Sequence, residues 1–166
     1  LEAQENHSAR RINRIISAAS ATRYLEIGVQ KGVTFLQVKC ALKVAVDPKF
    51  RFEGTTSTDR VKFHEVTSDE YFLSLDGDQL FDVVFVDGLH TFEQTYRDVC
   101  NVLTHAHPKT IVVIDDTVPS DVFSAIPDQN MAIRERKRGG QSGENWHGDV
   151  YKVVFAIHDF HPTLSY

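Results

Sequence analysis

Two apolar runs in the sequence end abruptly in carboxylates. FDVVFVDG (residues 81–88) and TIVVIDD (residues 110–116) are almost continuous in β-branched and aromatic residues before they reach an acid. Strands of a parallel sheet are covered by helices on both faces, so they are apolar throughout instead of alternating. The two runs therefore predict strands of an open α/β sheet that are buried on both faces, with their acids at one edge of that sheet.

Helix-like and strand-like segments alternate along the rest of the chain. Further strands are predicted at 23–29, 43–48 and 61–66, and PTLSY (162–166) is a candidate start of a sixth. Helices are predicted within an N-terminal segment at 1–20, and at 31–42, 68–75 (capped by Ser68), 91–103 (capped by Thr91) and 148–160. This order predicts a Rossmann-like, open, mainly parallel sheet with helices on both faces, in a single domain over 1–166.

Composition and charge narrow the classes of partner. The chain has 166 residues, 42% of them hydrophobic, which suits one globular domain, and its net charge of −5 disfavours nucleic-acid binding. It shows neither a run of about 18 apolar residues nor a signal-peptide pattern, so we expect a cytoplasmic protein without a membrane partner. Cys40 and Cys100 are expected to be buried free thiols inside helices, in a reducing compartment, in preference to a disulfide.

The predicted sheet brings several acids to one edge. Ligands of open α/β sheets bind beyond the carboxyl ends of the strands. The acids that follow predicted strands are Glu26, Asp47, Asp87, Asp115 and Asp116. Asp82, at the start of its strand, lies at the opposite edge and is expected to be structural. The first edge is the candidate site.

The first strand and its loop have features of a nucleoside-binding site. Gly28 and Gly32 in YLEIGVQKGVTF allow a tight turn and a close approach of the next helix to a ligand. Their G-x-x-x-G spacing disfavours a dinucleotide, and a purely structural turn is the alternative. Asp47, about twenty residues after the first glycine, is placed to accept ribose hydroxyls; alternatively it is a turn residue before Pro48.

These residues resemble the class I S-adenosylmethionine (SAM) dependent methyltransferases over roughly residues 20–160. LEIGVQKG and VAVDP are similar to that family's first motif and its following acidic motif, and VTSDEYF to its adenine-framing segment. The resemblance implies Glu26 and Gly28 near the methionine part of SAM, with Gly32 in the same loop. It also implies Asp47 on the ribose, and Thr67, Ser68 and Asp69 near the adenine. The family normally has a sixth and an antiparallel seventh strand, whereas the given sequence stops at Tyr166, where the sixth would begin; either the C-terminal hairpin is missing from the fold or it lies beyond the given sequence.

The acids after the fourth and fifth strands suggest a metal. Two carboxylates about 5 Å apart repel by roughly 3 kcal/mol at an effective dielectric constant of 20, so the cluster needs protons, a basic side chain or a cation. Three oxygen ligands with open positions suit Mg²⁺. The alternatives are that Asp87 belongs to a D-G turn, that one member of the Asp115–Asp116 pair faces away, and that His90 caps or packs.

The same two segments, VDGLH and VIDD, resemble the metal-dependent O-methyltransferases of the catechol and macrocin types. The resemblance implies that Asp87, Asp115 and Asp116 bind Mg²⁺ or a similar divalent cation. His90 stands where the catechol type has a basic lysine that acts on the acceptor hydroxyl, so His90 and Asp87 are the candidate catalytic residues.

The long segment 117–147 is predicted to be a lid or acceptor loop. Its basic cluster, Arg134 and Arg136–Arg138, either binds an anionic acceptor or is a solvated surface. Trp146 and His147 either line the acceptor pocket or, for Trp146, anchor the loop. The leading hypothesis is metal-assisted O-methylation of a small-molecule hydroxyl, such as that of a sugar or a phenol. The alternatives are an inactive SAM-binding partner module and a receiver-like phospho-switch, whose acids would follow the strands in the opposite order.

Overall fold

The computed structural model describes residues 6–166, which form five strands, five α-helices and one short 3₁₀ helix, Phe35–Gln37. The strands are β1 (Arg23–Ile27), β2 (Leu42–Val46), β3 (Val61–His64), β4 (Phe81–Val86) and β5 (Ala106–Ile114). The α-helices are α1 (His7–Ala19), α2 (Ser68–Ser74), α3 (Phe92–Thr104), α4 (Gln129–Arg138) and α5 (Lys152–Phe160).

The strand order is β3-β2-β1-β4-β5, and β1 runs parallel to both of its neighbours. Ile27 at the end of β1 pairs with Val46 and with Val86, and Val46 in turn pairs with His64. The carboxyl ends of four strands are therefore level. Strand order reverses between β1 and β4, which is where open α/β sheets bind ligands. The predicted Rossmann-like class is confirmed.

Successive residues of the central strands face opposite sides of the sheet, and both sides are buried. On one side Val83 and Phe85 pack with Ile12 and Ile16 of α1. On the other side the cluster includes Val84 and Val86 of β4, Tyr71 and Phe72 of α2, and Val102 of α3. Because both faces are covered, β4 has no polar face between Val83 and Val86, as its sequence predicted.

The chain divides into two compact units. The first contains the residues up to Gly88 and Asp98–Val113, and the second contains Leu89–Arg97 and Ile114–Tyr166. The first unit holds most of the sheet with α1 and α2, whereas the second holds α4 and α5. Both α3 and β5 have residues in each unit. Within residues 6–166, none of the helices is both long enough and apolar enough to cross a membrane.

Three local expectations are corrected in the first half of the chain. The predicted helix at 31–42 is reduced to Phe35–Gln37, because Gly32 before it has a left-handed backbone (φ +71°) and Val38 after it is extended (ψ 132°). Lys43 Nζ donates to the Phe35 and Val38 carbonyls at 2.8 and 3.0 Å. Cys40 therefore lies outside any helix; Cys100 is in α3, and both are free, half-buried thiols. The cap of α2 is Thr67 and not Ser68, because Thr67 and Glu70 form a reciprocal capping box.

Two further corrections fall in the second half. The predicted loop 117–147 contains α4, whose N-cap Asp128 accepts a hydrogen bond from the Met131 backbone at 2.6 Å. Residues 162–166 form a turn and an irregular end in place of a sixth strand. There the Tyr166 hydroxyl lies 2.5 Å from His158 Nδ1, so the end of the chain contacts α5. The first five residues of the predicted 1–20 segment lie outside the described residues.

Candidate functional site

Gly28 closes the carboxyl end of β1 against the ends of β2 and β4. Its N–H donates to the Val46 carbonyl at 2.9 Å, while the Asp87 N–H donates to the Ile27 carbonyl at 2.9 Å. Gly28 has φ +87°, and a Cβ at this position would lie 1.9 Å from the Asp87 carbonyl oxygen. Any side chain is therefore excluded here, and the loop after β1 begins at a point fixed by main-chain contacts.

Asp47 joins this loop to the segment after β2. Its carboxylate accepts the Gln30 N–H at 2.8 Å and the Lys49 N–H at 2.7 Å, and the Gln30 carbonyl accepts the Arg51 N–H at 2.7 Å. The bond to Lys49 is the turn contact that the structural alternative anticipated. A carboxylate has about four acceptor positions, so these two bonds leave Asp47 capacity for ligand hydroxyls.

Glu26 is buried beneath the loop, with 2% of its surface exposed. Burial raises the pKa of Glu26 to about 8. The Tyr24 hydroxyl donates to its carboxyl group at 2.5 Å, and burial together with the negative charge of Glu26 raises the pKa of Tyr24. Lys43 holds the backbone of the 3₁₀ helix on the same side of the sheet. Glu26 is thus one of the buried residues beneath the loop. Its neighbours Tyr24, which donates a hydrogen bond to it, and Lys43, whose charge interacts with it, were not identified from the sequence.

Gly32 continues the loop with φ +71°, and a Cβ there would approach the Phe52 ring to 3.0 Å. Thr67 and the half-buried Asp69 lie at the start of α2, while Ser68 is buried. The Asp47 N–H donates to the His64 carbonyl at 3.2 Å, so the ends of β2 and β3 meet near this helix. The predicted cofactor-binding residues all belong to the first unit, around the ends of β1, β2 and β3.

In the second unit, His90 and Asp116 form a hydrogen-bonded pair. His90 Nδ1 lies 3.0 Å from Asp116 Oδ2 and 3.2 Å from the Trp146 carbonyl oxygen. The Trp146 ring stacks on the His90 imidazole, with centroids 5.1 Å apart and an interplanar angle of 27°. His90 is therefore held by an acid and by the end of the predicted lid, which the sequence alone did not reveal.

The two neighbouring acids differ in orientation. Asp116 has a left-handed backbone, φ +58°, and its N–H donates to Asp115 Oδ1 at 3.1 Å. Asp116 Oδ1 lies 3.6 Å from His147 Nε2, and His147 Nδ1 is buried without a hydrogen-bond partner among the described residues. Thus Asp116 faces the histidines and Asp115 turns toward the backbone. Asp87, the third predicted metal ligand, follows the end of β4 in the first unit.

The donor set at the end of β5 fits a divalent cation. Asp115 uses Oδ1 for the Asp116 N–H and Asp116 uses Oδ2 for His90, so each carboxylate retains a second oxygen with acceptor capacity. Carboxylate oxygens suit Mg²⁺, while an imidazole nearby would also suit Mn²⁺ or Fe²⁺. The ligand chemistry is therefore compatible with the predicted metal.

The predicted lid is anchored, and its basic cluster is divided. Trp146 Nε1 donates to the Ile126 carbonyl at 2.8 Å, in agreement with the anchor interpretation. Arg136 is only 2% exposed and binds both oxygens of Asp121 at 2.9 Å. Arg136 therefore fits neither of the two alternatives, because its charge is already paired and its side chain is not solvated. Arg134 and Arg138 are exposed and pair with Glu135.

A comparison with family profiles decides the family. The profile described as "Methyltransferase domain" matches residues 25–117, more than half of the chain. The chain belongs to this methyltransferase domain family. The predicted class I SAM-dependent methyltransferase is confirmed, and the matched segment runs from β1 to just beyond the acid pair. A search of curated proteins finds no match.

Solved structures show that this methyltransferase shares its fold with other proteins. A cofactor-bound protein from MTB, Rv0187, is 18% identical with a TM-score of 0.63, covering 84% of this chain and 68% of its own. An O-methyltransferase from Bacillus cereus in complex with SAH is 12% identical with a TM-score of 0.58, and the match covers 93% of this chain and 72% of that protein. TomG, a Streptomyces achromogenes O-methyltransferase involved in tomaymycin synthesis and solved with SAM, is 17% identical with a TM-score of 0.55. That match covers 86% of this chain and 82% of TomG.

Proposed function

We propose that this methyltransferase transfers the methyl group of SAM to a hydroxyl oxygen of a small molecule. The observation that carries the proposal is an imidazole hydrogen-bonded to a carboxylate, His90 to Asp116 at 3.0 Å, within a chain of the methyltransferase domain family. Such a pair is suited to accept a hydroxyl proton near neutral pH. Proteins of the same fold include O-methyltransferases solved with SAM and with SAH, which supports the same cofactor here.

The first unit supports the cofactor half of the proposal. Asp47 is 8% exposed and retains acceptor capacity beside a loop whose backbone it fixes, so it would bind the ribose hydroxyls of SAM. Gly28 and Gly32 keep side chains away from the loop, where the methionine part would lie. Glu26 would act indirectly, by supporting the loop from beneath.

His90 would carry the chemical step. As the acceptor oxygen attacks the methyl carbon, the carbon–sulfur bond breaks and S-adenosylhomocysteine leaves, while the hydroxyl proton passes to His90. Methyl transfer from a sulfonium requires the acceptor oxygen, the methyl carbon and the sulfur to lie in one line. Sugar and phenol hydroxyls are both acceptors of this chemistry.

A divalent cation would assist the same step. Asp87, Asp115 and Asp116 would hold Mg²⁺ or a similar ion, an assignment supported by the resemblance to the catechol and macrocin types and by the oxygens at the end of β5. When bound, the ion lowers the pKa of the acceptor hydroxyl. The side chains of the protein would hold the acceptor, and His90 would remove its proton.

The test begins with binding and continues to turnover. Isothermal titration of the full chain with SAM should show binding, and S-adenosylhomocysteine should compete. Incubation with methyl-labelled SAM, Mg²⁺ and a panel of sugars and phenols should then give labelled products, and His90→Gln should lower the rate. Absence of SAM binding would end the proposal. Binding without transfer to any acceptor would instead favour an inactive SAM-binding partner module.

A further inference from the structure

The segment Trp146–Asp149 contacts the chain around His90 at three separate points. The Trp146 carbonyl and ring both contact the His90 imidazole, at 3.2 Å and with centroids 5.1 Å apart. Gly148 lies so close to the His90 backbone that a Cβ at this position would be 1.6 Å from the His90 carbonyl oxygen. Asp149 Oδ1 accepts the Phe92 N–H at 2.8 Å, at the first residue of α3. All of these residues belong to the second unit.

The hydrogen bonds of His90 determine which ring nitrogen carries the proton. Nδ1 faces two oxygens, Asp116 Oδ2 at 3.0 Å and the Trp146 carbonyl at 3.2 Å. A carboxylate and a carbonyl can only accept, so Nδ1 must be the donor. In a neutral imidazole only one nitrogen is protonated, so the lone pair is on Nε2.

The contacts also make the position of His90 depend on distant residues. Trp146 is itself fixed by its Nε1 bond to the Ile126 carbonyl, and the His147 N–H donates to the Ser124 carbonyl at 3.0 Å. Asp149 is further oriented by Lys152 Nζ at 2.8 Å. A displacement of Trp146–Asp149 would therefore move both the ring and the backbone of His90.

We propose that Trp146–Asp149 is a positioning clamp which, together with Asp116, holds His90 as the Nδ1–H tautomer, so that Nε2 is the atom that receives the acceptor proton. This rests on the proposed function for the identity of the reaction, although the tautomer and the clamp can be measured without it. In the step itself, the hydroxyl proton moves to Nε2 while Nδ1 keeps its proton, shared with Asp116. After the products leave, Nε2 returns its proton to solvent. Asp116 and Trp146 are positioning residues in this scheme.

The tautomer is tested by nitrogen NMR on the full chain labelled with ¹⁵N-histidine. His90 is assigned by the signals lost in His90→Gln, and the tautomer is measured at a pH above which its nitrogen signals no longer change, where the imidazole is neutral. We expect a protonated Nδ1 and an unprotonated Nε2. Asp116→Gly removes one of the two oxygens that accept from Nδ1 and suits the left-handed backbone, so it should shift the His90 signals and raise the fraction of the Nε2–H form. Asp116→Asn retains an acceptor oxygen and should preserve the wild-type pattern. An Nε2–H tautomer in the wild type, or an unchanged spectrum in Asp116→Gly, would overturn the proposal.

The clamp is tested by two matched glycine substitutions in the second unit. Gly148 (φ +60°) and Gly140 (φ +72°) share a left-handed backbone, but a Cβ at Gly140 has nothing within 4 Å. Gly148→Ala must displace the His90 carbonyl by more than 1 Å, and a misplacement of that size can lower kcat by about 10²-fold. We expect that loss with an unchanged KM for SAM, and a wild-type kcat for Gly140→Ala.

The two failures are distinguishable. If the wild type methylates no acceptor, the proposed function fails, yet the His90 signals must still change in Gly148→Ala and stay unchanged in Gly140→Ala if the clamp exists. Equal His90 signals in both variants would overturn the clamp whatever the activity. If Gly148→Ala does not fold, Trp146→Phe takes its place, because it removes the Nε1 anchor and keeps an aromatic ring; unaltered His90 signals in that variant would also count against the clamp.

Discussion

The sharpest test of the cofactor loop compares Gly28→Ala with Gly54→Ala. Both glycines have left-handed backbones, with φ +87° and +83°, and both lie in the first unit. A Cβ at Gly54 has nothing within 4 Å, whereas a Cβ at Gly28 would lie 1.9 Å from the Asp87 carbonyl oxygen. The pair therefore shares the conformational cost of an alanine and differs in the steric one.

The magnitudes follow from these contacts. A non-glycine residue in the left-handed region costs about 1–2 kcal/mol, which is the whole expected loss of unfolding free energy for Gly54→Ala. Gly28→Ala must also move the Asp87 carbonyl by more than 1 Å, which adds about 1–3 kcal/mol of overpacking. The same movement weakens the bond from the Asp87 N–H to the Ile27 carbonyl, worth about 0.5–1.5 kcal/mol. We expect a total loss of about 2.5–6.5 kcal/mol for Gly28→Ala.

Urea unfolding followed by far-ultraviolet circular dichroism measures both losses, and titration with SAM measures binding by whichever variants remain folded. Gly54→Ala should bind SAM like the wild type, whereas Gly28→Ala should bind it weakly. Equal unfolding free energies for the two variants, within about 0.5 kcal/mol, would refute the conclusion that the main-chain contact with Asp87 fixes the loop.

Three other outcomes are expected. Asp47→Ala should weaken SAM binding by at least about tenfold in calorimetry, since a hydrogen bond to a charged group is worth about 1.5–3 kcal/mol, whereas the exposed Asp59→Ala should not; equal affinities would remove the ribose role. A chelator should abolish turnover and spare SAM binding, and Asp115→Asn should raise the Mg²⁺ concentration needed for half-maximal turnover. Activity that survives chelation would contradict the proposed role of the metal. Glu26 has its pKa raised from 4.5 to about 8, so it binds a proton more tightly when folded, and its contribution to stability is lost as pH rises from about 4.5 to 8. The wild type should lose up to about 5 kcal/mol of unfolding free energy in urea between pH 4.5 and 8 through this group, and Glu26→Gln should not show that loss. Parallel plots of unfolding free energy against pH for the wild type and Glu26→Gln would contradict this.

The parts of the fold that the sequence predicted are those in which local pattern and burial agree. β1 to β5 were all predicted from their apolar runs, of which Val83–Val86 is buried on both faces, and α3 was predicted because its helical spacing follows Thr91 directly. The helix expected at 31–42 is shortened to one 3₁₀ turn between a left-handed Gly32 and an extended Val38, and the contacts of its carbonyls with Lys43 come from a residue outside that window. At α2, Thr67 and Ser68 are both good caps, and only the reciprocal bond with Glu70 distinguishes them.

The candidate site was predicted in its residue types more fully than in its contacts. His90 and Asp116 were both candidates, but their hydrogen bond joins residues 26 positions apart. Trp146 was expected either to line the acceptor pocket or to anchor the loop, but its carbonyl contact with a residue 56 positions earlier has no signal in the sequence. Arg136 appeared to be one of several surface charges because its partner Asp121 lies outside the basic run. Predicting such contacts requires the path of the chain.

The left-handed backbone at Asp116 restricts what evolution or design can place there. A β-branched or bulky residue is disfavoured at φ +58°, whereas asparagine, aspartate and glycine are tolerated. Of these three, glycine has no oxygen to offer to an imidazole. A library of all twenty amino acids at this codon, selected for turnover, should thus return little besides aspartate and asparagine, a narrower choice than either the conformation or the chemistry would impose separately.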